Sequence, residues 1–475
     1  MRNARARLAS LRLLPRTAVL AVAPFAFTNS FFGAPRPEPV APNVLIIVTD
    51  DQRAGETLSV MPKTRHYFEG GGVKYPNGFS VTPLCCPSRS TILTGRYAHN
   101  TGVERNVLPD DLDVTTFFAR LLQRNGYKTG LVGKLLNSWP VTKTPPYFDR
   151  YALGGTPYFG PRFNVNGNLE SVRGYSTSVM TRFSLRFLRH FESKDDAAPW
   201  LLYVAPHAPH QPWIPEKRYA EAPVPRWPGN PALFERDRSD KPPSFSRIHY
   251  SISQGRRVRR NQLRTLMSVD DMVGQIFRTL QKLGERRDTL AFFLSDNGYL
   301  WSDHHLGGDR NTAGQKRLPY TPSVRVPFYV RWPGHLPSGT RDPRLTGTVD
   351  IAPTVLEAAG IPQDPGTPPL DGRSLLAPNG RDRILFEYWL GHASPWIPTW
   401  ASIRTREYQY VEYYAEDKKT VVFREYYDLA EDPWQLENLL ADGNPANDPD
   451  VPALSAQLAA DRACEGLGPG PGACP

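Results

Sequence analysis

The most informative stretch of the sequence is Leu84-Cys85-Cys86-Pro87-Ser88-Arg89-Ser90-Thr91-Ile92-Leu93-Thr94-Gly95-Arg96. It joins a C-x-P-S-R motif to an L-T-G-R motif and contains two of the four cysteines of the chain. Adjacent cysteines do not suit a zinc site, because paired ligands need residues between them to reach one tetrahedral ion. They also rarely bridge each other, because a disulfide requires a wider Cα separation than unstrained neighbours allow. The pair therefore predicts either two small buried residues at a helix that begins near Ser88, or a catalytic cysteine.

Two further segments place acidic residues directly after apolar runs. Asn43-Val44-Leu45-Ile46-Ile47-Val48-Thr49 precedes Asp50-Asp51, and Leu290-Ala291-Phe292-Phe293-Leu294-Ser295 precedes Asp296-Asn297. Both runs are typical of buried parallel strands, and ligands of open α/β sheets bind beyond the carboxyl ends of such strands. If the two strands are neighbours, their carboxylates repel one another unless a cation lies between them. Oxygen ligands favour a hard divalent ion, Ca²⁺ before Mg²⁺.

The C-x-P-S-R motif resembles the signature of type I sulfatases, in which a formylglycine-generating enzyme oxidises the first cysteine to formylglycine. The resemblance implies that Cys85 is converted and that Cys86 occupies the variable position. In that family one hydroxyl of the hydrated aldehyde attacks sulfur and releases the alcohol. The second hydroxyl then loses its proton, the C–O bond breaks, sulfate leaves and the aldehyde is regenerated. Arg89 is implied to neutralise charge around the diol.

The same resemblance implies the remaining site residues. The metal ligands would be Asp50, Asp51, Cys85, Asp296 and Asn297. Matches to family segments make five further residues candidates for contact with the reacting group. Lys134 ends the segment Gly126-Tyr127-Lys128-Thr129-Gly130-Leu131-Val132-Gly133-Lys134, and Asn137 follows it where many members have Trp-His nearby. The others are His210 in Pro209-His210-Gln211-Pro212, Lys316, and His304 as a weaker match. A histidine near the leaving oxygen can act as a general acid at neutral pH. Each of these residues taken alone is commonly a surface charge or a structural histidine.

One subgroup is a closer match. The segments Gly133-Lys134-Leu135-Leu136-Asn137 and Ser295-Asp296-Asn297-Gly298-Tyr299 resemble N-acetylglucosamine-6-sulfatases and related glycan sulfatases. The resemblance implies a sulfuric ester hydrolase that acts on the 6-O-sulfate of N-acetylglucosamine or a related glycan. The alternatives are an arylsulfatase or a phosphonate monoester or phosphodiester hydrolase of the same superfamily. If Cys85 is not converted, a glycan-binding protein without catalysis is the remaining hypothesis.

Composition and charge restrict the choice of partners. The chain has 475 residues, 48 prolines, 40% hydrophobic residues and a formal net charge of +10, which describes a globular, loop-rich protein. More than half of that charge comes from six arginines in residues 1–36, a segment without acidic residues. We therefore do not expect nucleic-acid binding. The run Arg256-Arg257-Val258-Arg259-Arg260 lies near the start of a predicted amphipathic helix over residues 261–283, and it suits either a polyanionic glycan or a solvated helix turn.

The two ends of the chain suggest export. Residues 1–34 combine arginines with a short apolar run, which is typical of a secretory signal peptide or a loose N-terminal membrane anchor. Residues 35–42 are rich in proline and predict a linker. Cys464 and Cys474 flank a Gly/Pro-rich tail over residues 464–475 and can close a small disulfide loop or remain free thiols. These features predict a secreted or cell-envelope protein.

The order of predicted elements indicates an α/β fold. Alternating strands and helices over residues 43–378 predict a mixed, mainly parallel sheet with helices on both faces, and the resemblance implies an alkaline-phosphatase-like catalytic domain. Short aromatic and β-branched runs then predict a small antiparallel α+β subdomain over residues 379–463. Its last helix is expected to begin around Pro452, a residue suited to a first helical turn.

Overall fold

The fold is built around a ten-stranded mixed sheet whose middle is formed by the two predicted acidic strands. The computed structural model describes residues 41–109, 112–193, 198–307, 315–390, 396–468 and 472–475. The predicted signal or anchor segment, residues 1–34, lies outside the described residues. Within the described ranges, no helix combines the length and the apolar character that a membrane crossing requires.

The strands of the described residues are β1 (Asn43–Thr49), β2 (Val73–Lys74), β3 (Gly78–Phe79), β4 (Lys128–Gly133), β5 (Arg150–Thr156), β6 (Arg162–Val165), β7 (Asn168–Ser171), β8 (Trp200–Ala205), β9 (Thr289–Ser295), β10 (Phe328–Arg331), β11 (Thr340–Arg341), β12 (Thr346–Gly347), β13 (Ile384–Tyr388), β14 (Thr399–Arg404), β15 (Tyr408–Tyr414) and β16 (Val421–Asp428). The α-helices are α1 (Pro62–Thr64), α2 (Cys85–Thr94), α3 (Ala98–Thr101), α4 (Phe118–Arg124), α5 (Ser176–Glu192), α6 (Ile252–Leu283), α7 (Thr321–Val324), α8 (Ile351–Ala358) and α9 (Val451–Asp461).

The strand order of the large sheet confirms the predicted mixed, mainly parallel architecture. It runs β11-β2-β10-β9-β1-β8-β4-β5-β6-β7. The five central strands, from β9 to β5, are parallel to one another, whereas β10, β6 and β7 add antiparallel partners towards the edges. β1 and β9 pair along their whole length, from Asn43 opposite Thr289 to Thr49 opposite Ser295. Their carboxyl ends therefore lie side by side, which meets the condition on which the predicted cation site depends.

Helices cover both faces of this sheet because successive side chains of a strand point to opposite faces. On one face Val44, Ile46 and Val48 of β1 pack in one core with side chains of α2, α4 and α8. On the other face Leu45 and Ile47 pack in a second core with α5 and α6. Burying each of these aliphatic side chains contributes roughly 1.5–3 kcal/mol, which fixes β1 at the centre of the molecule.

The long helix α6 begins at Ile252, whereas the sequence analysis placed its start at residue 261. Ser251 caps the helix: its side chain accepts from the backbone N–H of Gln254, and the Gln254 side chain accepts from the backbone N–H of Ser251. The basic run over residues 256–260 is therefore helical. The predicted start was too late because the run contains one apolar residue, Val258, and so shows no helical periodicity of its own, whereas the helical turn expected for the run itself is confirmed.

The C-terminal part forms the predicted small antiparallel sheet, in the order β13-β14-β15-β16. α9 follows with Pro452 in its first turn, as expected. Cys464 and Cys474 form a disulfide, which confirms the pairing left open by the sequence. Gly466, two residues after Cys464, is held to the large domain, because its backbone N–H donates to Asp371 Oδ1 over 2.7 Å.

Candidate active site

The acidic residues after β1 and β9 meet at the carboxyl edge of the sheet. The backbone N–H of Asp51 donates to Asp296 Oδ1 over 3.1 Å, and Asn297 Nδ2 donates to Asp51 Oδ1 over 2.7 Å. Asp51 has a φ of 69°, a left-handed conformation that aspartate tolerates better than most residues and that ends the strand abruptly. Asp50, Asp51, Asp296 and Asn297 are all fully buried.

Cys85 lies against this acidic group because it is the first residue of α2, the helix packed beneath the same edge. Its Sγ is 3.4 Å from Asp50 Oδ1 and 4.0 Å from Asp51 Oδ1. One ligand atom from each of Asp50, Asp51, Cys85 and Asp296 can be chosen so that all four lie within 4.8 Å of one another. The structure therefore brings the predicted nucleophile and the predicted metal ligands to one point.

Three cationic side chains surround the acids. Lys134 follows β4, and its Nζ donates to Asp50 Oδ2 over 2.5 Å. Arg89 lies one turn after Cys85 on α2, and its Nε donates to Asp296 Oδ2 over 2.7 Å. Lys316 donates from Nζ to Asp51 Oδ1 and to Cys85 Sγ. Each charged group is thus paired, which buried ions require.

The pairing of acids with cations changes the pKa values of the buried acids. Burial alone would raise the pKa of Asp50, but the charges of Lys134, His210, Arg89 and Lys316 hold it well below its usual value. The pKa of Asp296 is raised, by burial and by the neighbouring Asp50. Burial, together with Asp50, also raises the pKa of the Cys85 thiol to about 12. Cys85 is therefore held as a neutral thiol in this environment.

Two oxygens of the acidic group are left without a hydrogen-bond donor. Asp51 Oδ2 and Asn297 Oδ1 are both buried, and neither has a hydrogen-bond partner among the residues that the structure describes. A buried acceptor without a donor is costly, and such a pair in a native site calls for a ligand. Carboxylate and amide oxygens are the ligands that hard divalent cations prefer. The residues present therefore fit a divalent cation held by Asp50, Asp51, Asp296 and Asn297.

Two histidines lie on the open side of the acids. His210 Nε2 is 3.7 Å from Asp51 Oδ2, and His207 Nδ1 is 3.9 Å from Asp50 Oδ2, with the two rings 4.8 Å apart. Of these two histidines, only His210 was predicted as a site residue, because it fits the P-H-x-P pattern of the family. His207 lies three residues earlier in the same short segment, and that proximity could have indicated it.

A cavity of about 290 Å³ opens beside Lys134 and His207. Its walls come from the segment after β4 and from β5 and β6: Lys134, Leu135, Leu136, Trp139, Val141, Leu153, Gly154, Thr156, Arg162 and His207. Trp139 and Arg162 were not predicted from the sequence, because nothing local marks them as neighbours of the acids. This cleft adjoins the acids through Lys134, which bonds Asp50.

Two predicted site residues, Asn137 and His304, do not bond the acids or Cys85 through their side chains in the described part of the chain. The backbone carbonyl of Asn137 accepts from Cys86 Sγ over 3.4 Å, while its side-chain Oδ1 is buried and has no hydrogen-bond partner in the described part of the chain. His304 is buried, with Nδ1 bonded to Glu235 Oε2 over 2.6 Å and its ring against Tyr320. No hydrogen bond or ion pair within the described ranges joins His304 to the acids or to Cys85. Roles for both residues stay predictions.

The site combines an acidic pocket that fits a divalent cation, a candidate nucleophile and three cationic side chains. All of them lie at the carboxyl edge of a mainly parallel sheet. This combination is typical of hydrolases that act on anionic esters. The chain belongs to the sulfatase family, whose family model matches residues 42–361. A second model, for the C-terminal part of N-sulphoglucosamine sulphohydrolase, matches residues 313–462. The predicted type I sulfatase with an alkaline-phosphatase-like fold is therefore confirmed.

The individual proteins that this chain resembles include other sulfatases. An extracellular sulfatase Sulf-1 homolog of Caenorhabditis elegans is 32% identical over 370 residues, which cover 70% of this chain and 48% of the relative. The chain thus spans about half the length of that relative. Human N-acetylglucosamine-6-sulfatase is 29% identical over 472 residues, with 84% of this chain and 81% of the relative covered. A solved structure of a protein in complex with its substrate D-glucosamine-2-N,6-O-disulfate shares the fold, with a TM-score of 0.74 at 22% identity over 88% of this chain and 97% of that chain.

Proposed function

We propose that this chain hydrolyses sulfate monoesters of glycans, with the 6-O-sulfate of N-acetylglucosamine or a related amino sugar as substrate. The observation that carries the proposal is the position of Cys85, whose Sγ lies within 4.0 Å of Asp50 and Asp51 and within 2.8 Å of Lys316. In a C-x-P-S-R motif this position calls for conversion to formylglycine. The partner that performs this conversion would be a formylglycine-generating enzyme.

The side chains around Cys85 suit a sulfate monoester. The ester carries one negative charge, and further charge develops on its leaving oxygen as the S–O bond breaks. Lys134 and Lys316 offer ammonium groups on two sides of the nucleophile, and Arg89 holds Asp296 in place from below. Fixed cations in a buried site stabilise such charge without the reorganisation that water would need.

The proposed cofactor is one divalent cation, Ca²⁺ before Mg²⁺, because the ligand set is entirely oxygen and includes an amide. Asp50, Asp51, Asp296 and Asn297 would hold it, with an oxygen of the converted Cys85 as a further ligand. When bound, the cation would polarise the sulfate oxygens as a Lewis acid. His210, on the open side of the acids, is the proposed donor of the proton to the leaving alcohol.

The assignment to a glycan rests on the cleft and on the relatives. A cavity of about 290 Å³, walled by Trp139 and Arg162 as well as Lys134 and His207, offers both a ring face and cations, a mixture suited to an anionic sugar. Human N-acetylglucosamine-6-sulfatase is among the relatives, which supports a 6-O-sulfated amino sugar as substrate. We further propose a secreted or cell-envelope location, supported by the disulfide between Cys464 and Cys474.

The deciding experiment compares kcat/KM on N-acetylglucosamine 6-sulfate, an aryl sulfate and an aryl phosphonate monoester, with enzyme whose conversion at Cys85 has been verified by mass spectrometry. The proposal expects the sugar sulfate to be preferred. A preference for the aryl sulfate would remove the sugar assignment alone. A preference for the phosphonate would move the chain to the phosphonate monoester hydrolases. Binding of the sugar by protein in which Cys85 stays unconverted even in a host with the maturing enzyme would leave a glycan-binding protein.

A further inference from the structure

A second cavity, of about 440 Å³, lies beside the N-terminal part of α6 and contains none of the candidate catalytic or metal-binding residues. We refer to it as the arginine pocket. It is lined by Val224, Pro225, Arg226, Trp227, Pro228, Arg256, Arg259 and Arg260. Half of these residues are arginines, and none is acidic.

The helix explains why the arginines converge. Arg256, Arg259 and Arg260 are three and four residues apart on α6, a spacing that places them on one helical face. Val258, between them, is buried and packs in a cluster that includes Trp227 and Trp301. Arg226 joins them from the loop on the opposite wall. The basic run of the sequence thus becomes one side of a concave, positively charged surface.

Most of this charge has no counterpart in the protein. Arg226, Arg256 and Arg260 are exposed, and none of the three forms an ion pair within the described part of the chain. Arg259 differs, because it is buried and bonds Glu56 Oε2 over 3.2 Å and the Pro225 carbonyl over 2.9 Å. Three like charges that share a cavity repel one another, and a bound anion would remove that repulsion.

The wall of the arginine pocket is held in a fixed position. Trp227 donates from Nε1 to Glu56 Oε1 over 2.9 Å, and its ring meets Trp301 edge to face at 5.4 Å. The Arg259 guanidinium lies 5.5 Å from both indole rings. The contacts of Glu56, Arg259 and the two tryptophans thus lock the loop against α6, so that a ligand would meet a preorganised surface.

The arginine pocket lies on the same side of the molecule as the candidate active site. α6 is followed by β9, which is parallel to β1, so the start of α6 extends towards the carboxyl edge of the sheet. Gln262, two residues after Arg260, donates from Nε2 to the backbone carbonyl of Asp51 over 3.4 Å and accepts from Trp301 Nε1. The N-terminal half of α6 therefore carries both the arginines of the pocket and a residue that bonds the backbone of Asp51.

We propose that the arginine pocket binds sulfate groups of an oligosaccharide whose reacting ester lies at Cys85. The inference rests on the proposed function and extends it, because it assigns a substrate class, namely glycans with several sulfates. The planar guanidinium matches the oxygens of a sulfate with two parallel hydrogen bonds, which lysine cannot do. Turnover of a sulfated oligosaccharide should accordingly exceed that of a monosaccharide sulfate through a lower KM.

The test uses the full-length converted enzyme and a triple variant, Arg226→Gln, Arg256→Gln and Arg260→Gln. A matched control carries Arg173→Gln, Arg189→Gln and Arg287→Gln, which removes the same charge from exposed positions outside both cavities. Calorimetry measures binding of a heparin-derived octasaccharide at two salt concentrations, with Cys85→Ala added to each of these proteins so that the octasaccharide is not hydrolysed during the titration. Kinetics measures kcat/KM on that octasaccharide and on an aryl sulfate.

For the pocket variant we expect Kd for the octasaccharide to rise about tenfold relative to the control, with a weaker salt dependence. The ratio of kcat/KM on the octasaccharide to that on the aryl sulfate should fall by a similar factor. Equal binding by the two triple variants would overturn the proposal, and so would tighter wild-type binding of a single-stranded oligonucleotide than of the octasaccharide. Because binding is measured without turnover, loss of the proposed function would show itself separately, as absent hydrolysis with pocket-dependent binding.

Discussion

Lys316 joins the predicted nucleophile to the predicted metal ligands, because its Nζ lies 2.8 Å from Cys85 Sγ and also donates to Asp51. Burial alone would lower the pKa of Lys316, but Asp51 and Cys85 raise it above its usual value. The side chain is therefore a fixed positive charge at the reacting atom. A sulfate monoester that enters the cleft meets this charge already in place, without a rearrangement of the site.

The first prediction concerns conversion of Cys85. Protein from a host with a formylglycine-generating enzyme should carry an aldehyde at Cys85, with sulfur replaced by oxygen, and an unchanged thiol at Cys86. Cys85→Ala and Cys85→Ser should abolish turnover without unfolding the protein, since a serine sulfate ester has no second hydroxyl to expel sulfate. Mass spectrometry of the peptide that spans Cys85 and a sulfatase assay measure both effects.

The adjacent cysteine supplies the control for that experiment. Cys86 is buried and contacts the backbone carbonyl of Asn137, and it makes no hydrogen bond to the acids within the described residues. Cys86→Ser should therefore keep both conversion at Cys85 and most of the activity. Full activity in Cys85→Ala would falsify the formylglycine hypothesis.

The second prediction concerns the metal. Asp296→Asn changes the shape of the side chain little but removes a charge from the proposed ligand set, so it should lose the cation and most of the activity. At a free cation concentration one hundredfold above Kd, binding stabilises the folded state by about 2.7 kcal/mol, and a chelator should lower Tm accordingly in the wild type. Elemental analysis and thermal melts check this, with exposed Asp113→Asn as the control. Active wild-type enzyme without a metal would contradict it.

Local patterns predicted the centre of the site because each part is a short segment whose fold is locally determined. Strands β1 and β9 are continuous apolar runs, so the sequence predicted that Asp50 and Asp296 lie at the carboxyl ends of strands. That the two strands are neighbours is known only from the structure. The walls of the cleft could not be predicted in this way. Trp139 and Arg162 meet only through tertiary packing of β4, β5 and β6, and neither carries a motif.

The third prediction is a pH dependence of stability at His99. Its Nδ1 bonds Glu387 Oε1 over 2.7 Å, and Nε2 bonds the Cys464 carbonyl over 2.9 Å. Burial would lower the pKa of His99, but Glu387 outweighs it and raises the pKa from 6.5 to about 9. A raised pKa stabilises the folded state fully below the unfolded value, and this contribution is lost as the pH rises from 6.5 through 9.

The raised pKa of His99 sets the size of this pH effect. The free energy of unfolding should change by at most about 3 kcal/mol. Urea unfolding at a series of pH values should show the wild type losing stability across that interval. His99→Gln should be less stable at low pH and should lose less as the pH rises. His335→Gln, at an exposed histidine, serves as the control. Parallel pH profiles for wild type and His99→Gln would rule out the assignment.

The fourth prediction concerns the disulfide between Cys464 and Cys474, which are ten positions apart. Closing a loop of that length removes conformational freedom from the unfolded chain and contributes about 3 kcal/mol. The double variant Cys464→Ala, Cys474→Ala should therefore unfold at a lower denaturant concentration than the wild type. Its stability should also be insensitive to reductant, whereas that of the wild type falls on reduction. If reductant leaves the denaturant midpoint of the wild type unchanged, the disulfide does not contribute to the stability of the fold.

The last prediction separates the two histidines at the acids. If His210 protonates the leaving oxygen, its loss should matter most for substrates whose alcohol is a poor leaving group, such as a sugar, and least for an activated aryl sulfate, whose phenolate leaves without a proton. His210→Gln should lower kcat/KM on the sugar sulfate by about 10²-fold or more and on the aryl sulfate by much less. His207 lines the cleft and bonds the Gln211 carbonyl over 3.1 Å, so His207→Gln should affect both substrates to a similar degree, as a loss of binding would. The measurement is a comparison of both variants on both substrates with equal conversion at Cys85. Equal losses on the two substrates in His210→Gln would mean that His210 positions the acids and is not the proton donor.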